Sequence, residues 1–134
     1  MEESLTTYFE DLNVGCNCPH ENAFVPDGEK VYFRKLKGNN AIEDSFIAPP
    51  FNETLIDRAD ACIQKSLSVF DDLDMLINAV FKIQSGKKKS KKIAVLKLSD
   101  KDGLLKQTFG KNHHSWWRSQ GFNVAAITIQ EIEI

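Results

Sequence analysis

Val31-Tyr32-Phe33-Arg34-Lys35-Leu36 is the stretch from which the rest of the chain is best read. Valine and the two aromatics favour extended backbone, and strand alternation puts Tyr32, Arg34 and Leu36 on one face. Upstream, Pro26-Asp27-Gly28 is a turn: proline presets φ for entry, and glycine accepts a positive φ. A strand of this kind must bury its apolar side against partners. The chain supplies them in Ser66–Phe70, a brief extended segment, in Ile93–Leu98, and in Val124–Ile134. Ser99–Gly103 reads as a turn that returns Leu104–Phe109 as the second arm of a hairpin.

Helical periodicity fills the intervals. Leu5, Tyr8, Phe9 and Leu12 recur at i, i+3, i+4 and i+7, with Ser4 as a cap and Gly15 as a stop. A second helix is expected from Asn52, with Leu55, Ile56, Ala59, Cys62 and Ile63 on its apolar face and Asn52 or Thr54 as cap. The clearest follows Asp71 or Asp72 through Leu73, Leu76, Ile77, Val80 and Phe81. Residues 37–52 are expected to be irregular, because Gly38-Asn39-Asn40 turns the chain and Pro49-Pro50 excludes a helix. In the final strand, Ile127 and Ile129 fall on one face but Ile132 and Ile134 on the other. A β-bulge near Gln130-Glu131 would restore one apolar face. Helices and strands interleave without a regular βαβ period, so the fold class expected is α+β: a single domain over 1–134, mostly antiparallel sheet, packed with two or three helices.

At 134 residues, 42% hydrophobic and 27% charged, the chain can bury one core and is neither disordered nor fibrous. No 18-residue apolar run spans a membrane, and the acidic Met1-Glu2-Glu3 start lacks the pattern of a secretory leader. A cytosolic protein without a membrane partner is expected. Three cysteines, Cys16, Cys18 and Cys62, are an odd number, and reduced thiols are expected. The net charge of −2 conceals a division: residues 1–85 hold 15 acids and 7 bases, residues 86–134 hold 4 acids and 10 bases. Five of those bases are Lys87, Lys88, Lys89, Lys91 and Lys92, which like-charge repulsion should keep in a mobile loop over 86–92.

Four groups of residues carry chemistry. Cys16-Asn17-Cys18-Pro19-His20 offers soft ligands, but a closed zinc site needs four, and Cys62, His113 and His114 lack the spacing of a second pair, so no metal is expected. Asn112-His113-His114-Ser115-Trp116-Trp117-Arg118 combines two imidazoles, a hydroxyl, two indoles and a guanidinium. Alternation would place His114, Trp116 and Arg118 on one face and His113, Ser115 and Trp117 on the other, so packing and ligand binding are both open. The lysine loop, beside those tryptophans, supplies phosphate contacts next to stacking platforms, as single-strand binding requires; a merely solvated loop is the alternative. The fourth group is Arg34, Ser66, Ser68, Glu131 and Glu133.

The order Tyr-x-Arg at 32–34, Ser-Val-Phe at 68–70 and Glu-x-Glu at 131–133 resembles that of ADP-ribosyltransferase-like toxin domains. The resemblance implies that Arg34 contacts a nicotinamide dinucleotide, that Ser68 orders the pocket, and that Glu131 or Glu133 holds the ribose. The pattern Val31–Arg34, Leu67–Phe70, Ile93-Ala94 and His113–Trp117 is also similar to that of small bacterial proteins with no assigned activity. It implies one compact fold and no particular reaction.

Two functions are therefore carried forward. In the first, Trp116, Trp117, Arg118 and Lys87, Lys88, Lys89, Lys91 and Lys92 bind a phosphate-bearing ligand, a nucleic acid or an acidic protein, with no cofactor. In the second, a toxin-like transferase or nuclease uses Arg34 for phosphate, Ser68 to order the pocket, His113 or His114 for proton transfer, and Glu131 to orient the histidine, with NAD as cofactor in the transferase case.

Overall fold

The computed structural model describes residues 7–15, 17–36, 42–50, 52–55, 60–80 and 90–133. Among them are six strands: β1 (Val31–Lys35), β2 (Leu67–Phe70), β3 (Ser90–Lys97), β4 (Gly103–Gln107), β5 (His113–Arg118) and β6 (Thr128–Glu133). Two helices accompany them, α1 (Ala61–Gln64) and α2 (Leu73–Val80), with single 3-10 turns at Ile42–Phe46, Glu53–Leu55 and Val124–Ala126. The strands form one antiparallel sheet in the order β4-β5-β2-β1-β3-β6. The α+β class is as expected from the sequence.

Each face of this sheet carries a buried apolar cluster, with β6 the exposed edge. Residues opposite one another in the ladders share a face. One face carries Tyr32, Leu67, Val69, Ala94, Leu96, Leu105 and Trp116, buried beneath Phe46, Phe122, Val124 and Ile127. The other carries Phe33, Phe70, Ile93 and Ile132, packed against Leu73, Leu76, Ile77 and Val80 of α2. The Asp72 carboxylate caps that helix by accepting from Met75 N at 3.1 Å.

This double burial removes the need for a bulge. The β3–β6 register runs without interruption from Val95 opposite Thr128 to Ser90 opposite Glu133. Ile127 joins the first core and Ile132 the second, so the parity change serves two apolar faces. The expected hairpin is also absent. β4 pairs with β5, and β3 lies at the far side of β1. At the turn, Asp102 Oδ2 accepts from Ser99 N at 2.8 Å, and Ser119 N reaches the Asp102 carbonyl at 3.0 Å, which sends the chain toward β5. Gly103 has φ +122°, and a Cβ there would run into the Trp117 carbonyl, so only glycine fits this close approach.

Local periodicity is overridden at the start. Tyr8 forms an extended bridge with Ser119, Phe9 N donates to Arg118 O at 3.0 Å, and Gln120 N donates to Thr7 O at 2.7 Å. No helix occurs within 7–15; residues 4 and 5 of the expected helix lie outside the described residues. Of the helix expected from Asn52, the described parts are the 3-10 turn and α1, which Asp60 caps through Ile63 N at 2.8 Å.

Cys18 and Cys62 are joined by a disulfide with a Cα–Cα distance of 5.4 Å, which corrects the expectation of reduced thiols. They are 44 positions apart, so only the tertiary fold brings them together. In the chain-entropy picture such a loop closure contributes about 4 kcal/mol. A cross-link of this kind persists under oxidising conditions, whereas the expected cytosolic setting would keep thiols reduced. No helix among the described residues is long and apolar enough to cross a membrane.

Candidate functional site

The paired register between β1 and β2 is Phe33 opposite Phe70, against five such pairs between β1 and β3. Beyond that point the Ser68 carbonyl needs a donor that β1 backbone does not provide. Arg34 provides it. Its Nη1 donates to Ser68 O and its Nε to Ser45 O, both at 2.7 Å, while the guanidinium lies 5.8 Å from the Phe46 ring centroid. Those bonds tie β1, β2 and the Ile42–Phe46 turn together and do not engage Nη2. Desolvation pulls the Arg34 pKa down to about 10, so the group remains a cation at neutral pH. Among the described residues no carboxylate lies within ion-pair distance of it.

Arg34 forms one wall of a cleft of about 370 Å³ bounded by Pro49, Pro50, Gln64, Ser66, Ser68, Ser115 and Phe109, among others. Among the described residues, no acidic side chain lines it. Pro49 and Pro50 supply a stiff wall, and Gln64 is fixed through Asn52, whose N–H donates to Gln64 Oε1 at 2.7 Å. At the lip, Phe109 is 62% exposed and holds φ +55°, a left-handed conformation that costs a non-glycine residue roughly 1–3 kcal/mol. Its ring leans on His113 with centroids 5.3 Å apart. A cation on the wall, hydroxyl and amide groups around it and an aromatic plate at the mouth suit an oxyanion attached to a flat ring.

Of the expected site residues, Arg34 and Ser68 meet at this cleft. His113 reaches it only indirectly. His113 Nδ1 lies 3.0 Å from both the carbonyl and the hydroxyl of Thr108, and Thr108 Oγ1 lies 2.8 Å from Ser115 Oγ. With the carbonyl as acceptor, Nδ1 carries the proton. The His113 ring is set edge-on to Phe70, and burial lowers its pKa.

The remaining members of the conspicuous strand are packing residues. Trp116 and Trp117 are 0% and 1% exposed. Their indole N–H groups donate to Asp102 O at 2.8 Å and Cys62 O at 2.9 Å. As ligand platforms they are corrected: both sheet faces are covered at this pair, so neither indole meets solvent. His114 is buried edge-on against Tyr32 and Phe24; its Nδ1 has no hydrogen-bond partner among the described residues, and desolvation holds its pKa down. Arg118 is buried too, donating to Phe46 O at 2.8 Å beneath the Phe9 ring, 3.8 Å from its centroid. Neither His114 nor Arg118 lines the cleft.

Glu131 and Glu133 lie on β6, separated from β1 by β3, with Glu131 opposite Lys92 and Glu133 opposite Ser90. Two strand spacings amount to about 10 Å, so the arrangement does not bring these acids to Arg34. Lys91 and Lys92 are exposed residues of β3, which corrects a loop reaching 92; Lys87, Lys88 and Lys89 lie outside the described residues. No group of three or more His, Cys, Asp or Glu among the described residues could hold a metal ion, and Cys18 is no thiolate ligand because its sulfur is in the disulfide.

Sequence reasoning did not single out Phe109, Gln64 or the Pro49-Pro50 wall as site residues. The available signal was Thr108-Phe109-Gly110-Lys111-Asn112, an aromatic set among turn residues. Comparison with protein-family models, curated proteins and solved structures gives no match to this chain.

Proposed function

We propose that this protein is a binding module for a small phosphate-bearing ligand with a flat ring, of the nucleoside monophosphate class, held between Arg34 and Phe109. The observation that carries this reading is the Arg34 guanidinium: desolvated, without a described carboxylate partner, and set in the wall of an open cleft. A desolvated charge lacking a counter-ion is costly, and an arriving oxyanion both neutralises it and takes up Nη2. Ser66 and Ser68 offer further hydroxyls, and Phe109 offers a stacking face. The cleft volume of about 370 Å³ suits a mononucleotide better than a polymer or a folded acidic partner.

The transferase or nuclease alternative draws support from the Ser115–Thr108–His113 chain, yet it calls for a carboxylate near Arg34, and none among the described residues lines the cleft. Binding without chemistry is therefore the preferred reading.

Calorimetric titration with adenosine monophosphate tests it. Saturable one-to-one binding is expected, weakened about 10–100-fold in Arg34→Gln, the value of one or two charge-assisted hydrogen bonds. Because Arg34 also ties strands together, Phe109→Ala serves as a second variant on the exposed lip and should weaken binding severalfold without unfolding the protein. Unchanged affinity in both variants, or no binding by the parent, overturns the reading.

A further inference from the structure

On the opposite side of β5 from the Arg34 core face, a second recess of about 310 Å³ is bounded by Asn17, His20, Glu21, Asn22 and Lys106. Lys106 and Ser115 are paired across β4 and β5, and the lysine side chain emerges at His20. Lys106 Nζ lies 2.8 Å from His20 Nδ1, and His20 Nε2 lies 2.9 Å from Asp60 Oδ2. An ammonium group only donates, so Nδ1 is the acceptor, and the imidazole proton sits on Nε2, donated to Asp60. This is a base backed by a carboxylate and aimed at an amine, the arrangement that activates a lysine nucleophile.

The support around it is rigid. The His20 ring lies against Trp117 with centroids 5.6 Å apart, and Trp117 Nε1 is bonded to the Cys62 carbonyl. Cys18 precedes His20 by two residues and Cys62 follows Asp60 by two, so the Cys18–Cys62 disulfide clamps the two segments that carry the pair. The Asp60 side chain also caps α1 through its other oxygen, Oδ1, which fixes the carboxylate.

We propose that Lys106 is a carbonyl-reactive amine that condenses with small neutral hydroxyaldehydes. His20 Nδ1 takes one proton from the ammonium, leaving a free lone pair on Nζ and an imidazolium held by Asp60. That lone pair forms the N–C bond as the carbonyl π pair moves to oxygen, and a proton passes from nitrogen to oxygen to give the carbinolamine. The imidazolium then returns its proton to the hydroxyl, which departs as water while the nitrogen lone pair forms the C=N bond. The sum is ammonium plus aldehyde giving iminium plus water, with His20 restored. The amides of Asn17 and Asn22 suit the ligand's hydroxyls, and the Glu21 carboxylate at the recess disfavours an anionic aldehyde. Lys106 is the nucleophile, His20 the proton acceptor and donor, and Asp60 a positioning residue.

The test treats the full oxidised chain with glycolaldehyde and cyanoborohydride, then maps reduced adducts by mass spectrometry at early times. Lys106 is expected to label at least roughly tenfold faster than the exposed Lys97, Lys101 and Lys111 of the same molecule. His20→Asn should lower Lys106 to the rate of those lysines, and glyoxylate should label Lys106 more slowly than glycolaldehyde does. The ranking is internal to the parent chain, so it does not depend on how well the variant folds. Labelling of Lys106 at or below the rate of the other three overturns the proposal, and faster labelling by glyoxylate overturns the ligand class.

Discussion

Arg118 and Arg34 are both desolvated arginines that donate to backbone carbonyls, and burial lowers the pKa of each. They differ in what lies on their open side. Arg118 is roofed by the Phe9 ring and sits within the field of Glu10, so its charge is answered inside the protein. Arg34 faces a cleft with no acidic lining among the described residues. The same contrast separates most of β5 from the cleft, which Ser115 alone of that strand lines among the described residues. His113–Arg118 concentrates the most reactive-looking side chains in the chain, and the fold spends most of them on packing. The cleft is assembled around Arg34 from serines, prolines, two amides, three aliphatic side chains and one turn phenylalanine. Access and unmet charge, more than the density of functional groups, distinguish a site from a core.

The strongest way to break this contrast is Trp116→Ala. If β5 is core, the lost indole should cost about 3–5 kcal/mol in urea denaturation, through a cavity among Phe46, Phe122 and Leu105. The folded fraction should bind adenosine monophosphate as the parent does. A fully stable variant with lost affinity would return the tryptophan to the site.

Acidification gives a smaller effect with a defined sign. Burial lowers the pKa of both His113 and His114 below the ordinary value of about 6.5. Above that value both states are neutral there and the histidines contribute nothing. As pH falls through it, the unfolded chain takes up protons that the folded chain refuses, so stability declines. The slope approaches at most about 1.4 kcal/mol per pH unit for each histidine, until the lowered folded values are reached. Among the described residues no histidine or carboxylate lines the cleft, so those lining side chains keep their charge over the same interval. Denaturation midpoints that stay level or rise from pH 7 to 5.5 would contradict the buried, neutral placement of these rings.

What could be read from the sequence was mainly local. β1 and α2 were legible because alternation and 3.6-residue periodicity coincide there with burial, and Tyr32, Arg34 and Leu36 do share a face. The first expected helix failed because backbone bonds from Phe9 and Thr7 to the end of β5 outweigh the periodicity of Tyr8, Phe9 and Leu12. The hairpin failed for a related reason: Ser99–Gly103 is a turn, but Gly103 packs on Trp117 and commits β4 to β5. A bulge was inferred by assuming one buried face, whereas the sheet has two. The disulfide and the His20–Asp60–Lys106 contact join residues 40 or more positions apart, beyond any spacing rule. Arg34 and Ser68 stood in one dispersed group with Ser66, Glu131 and Glu133, and the bond between them runs to a backbone carbonyl, a contact that no pattern of side chains encodes.

The central claim is that ligand binding belongs to the Arg34 cleft and not to the lysines that begin β3 or to Trp116–Arg118 of β5. Amide-resolved NMR of the labelled protein during titration with adenosine monophosphate tests it most directly. The account predicts saturable shifts centred on Arg34, Ser66–Ser68, Phe109 and Ser115, with one dissociation constant. Shifts centred on Lys91 and Lys92, or on Trp116–Arg118 without the cleft residues, would contradict it.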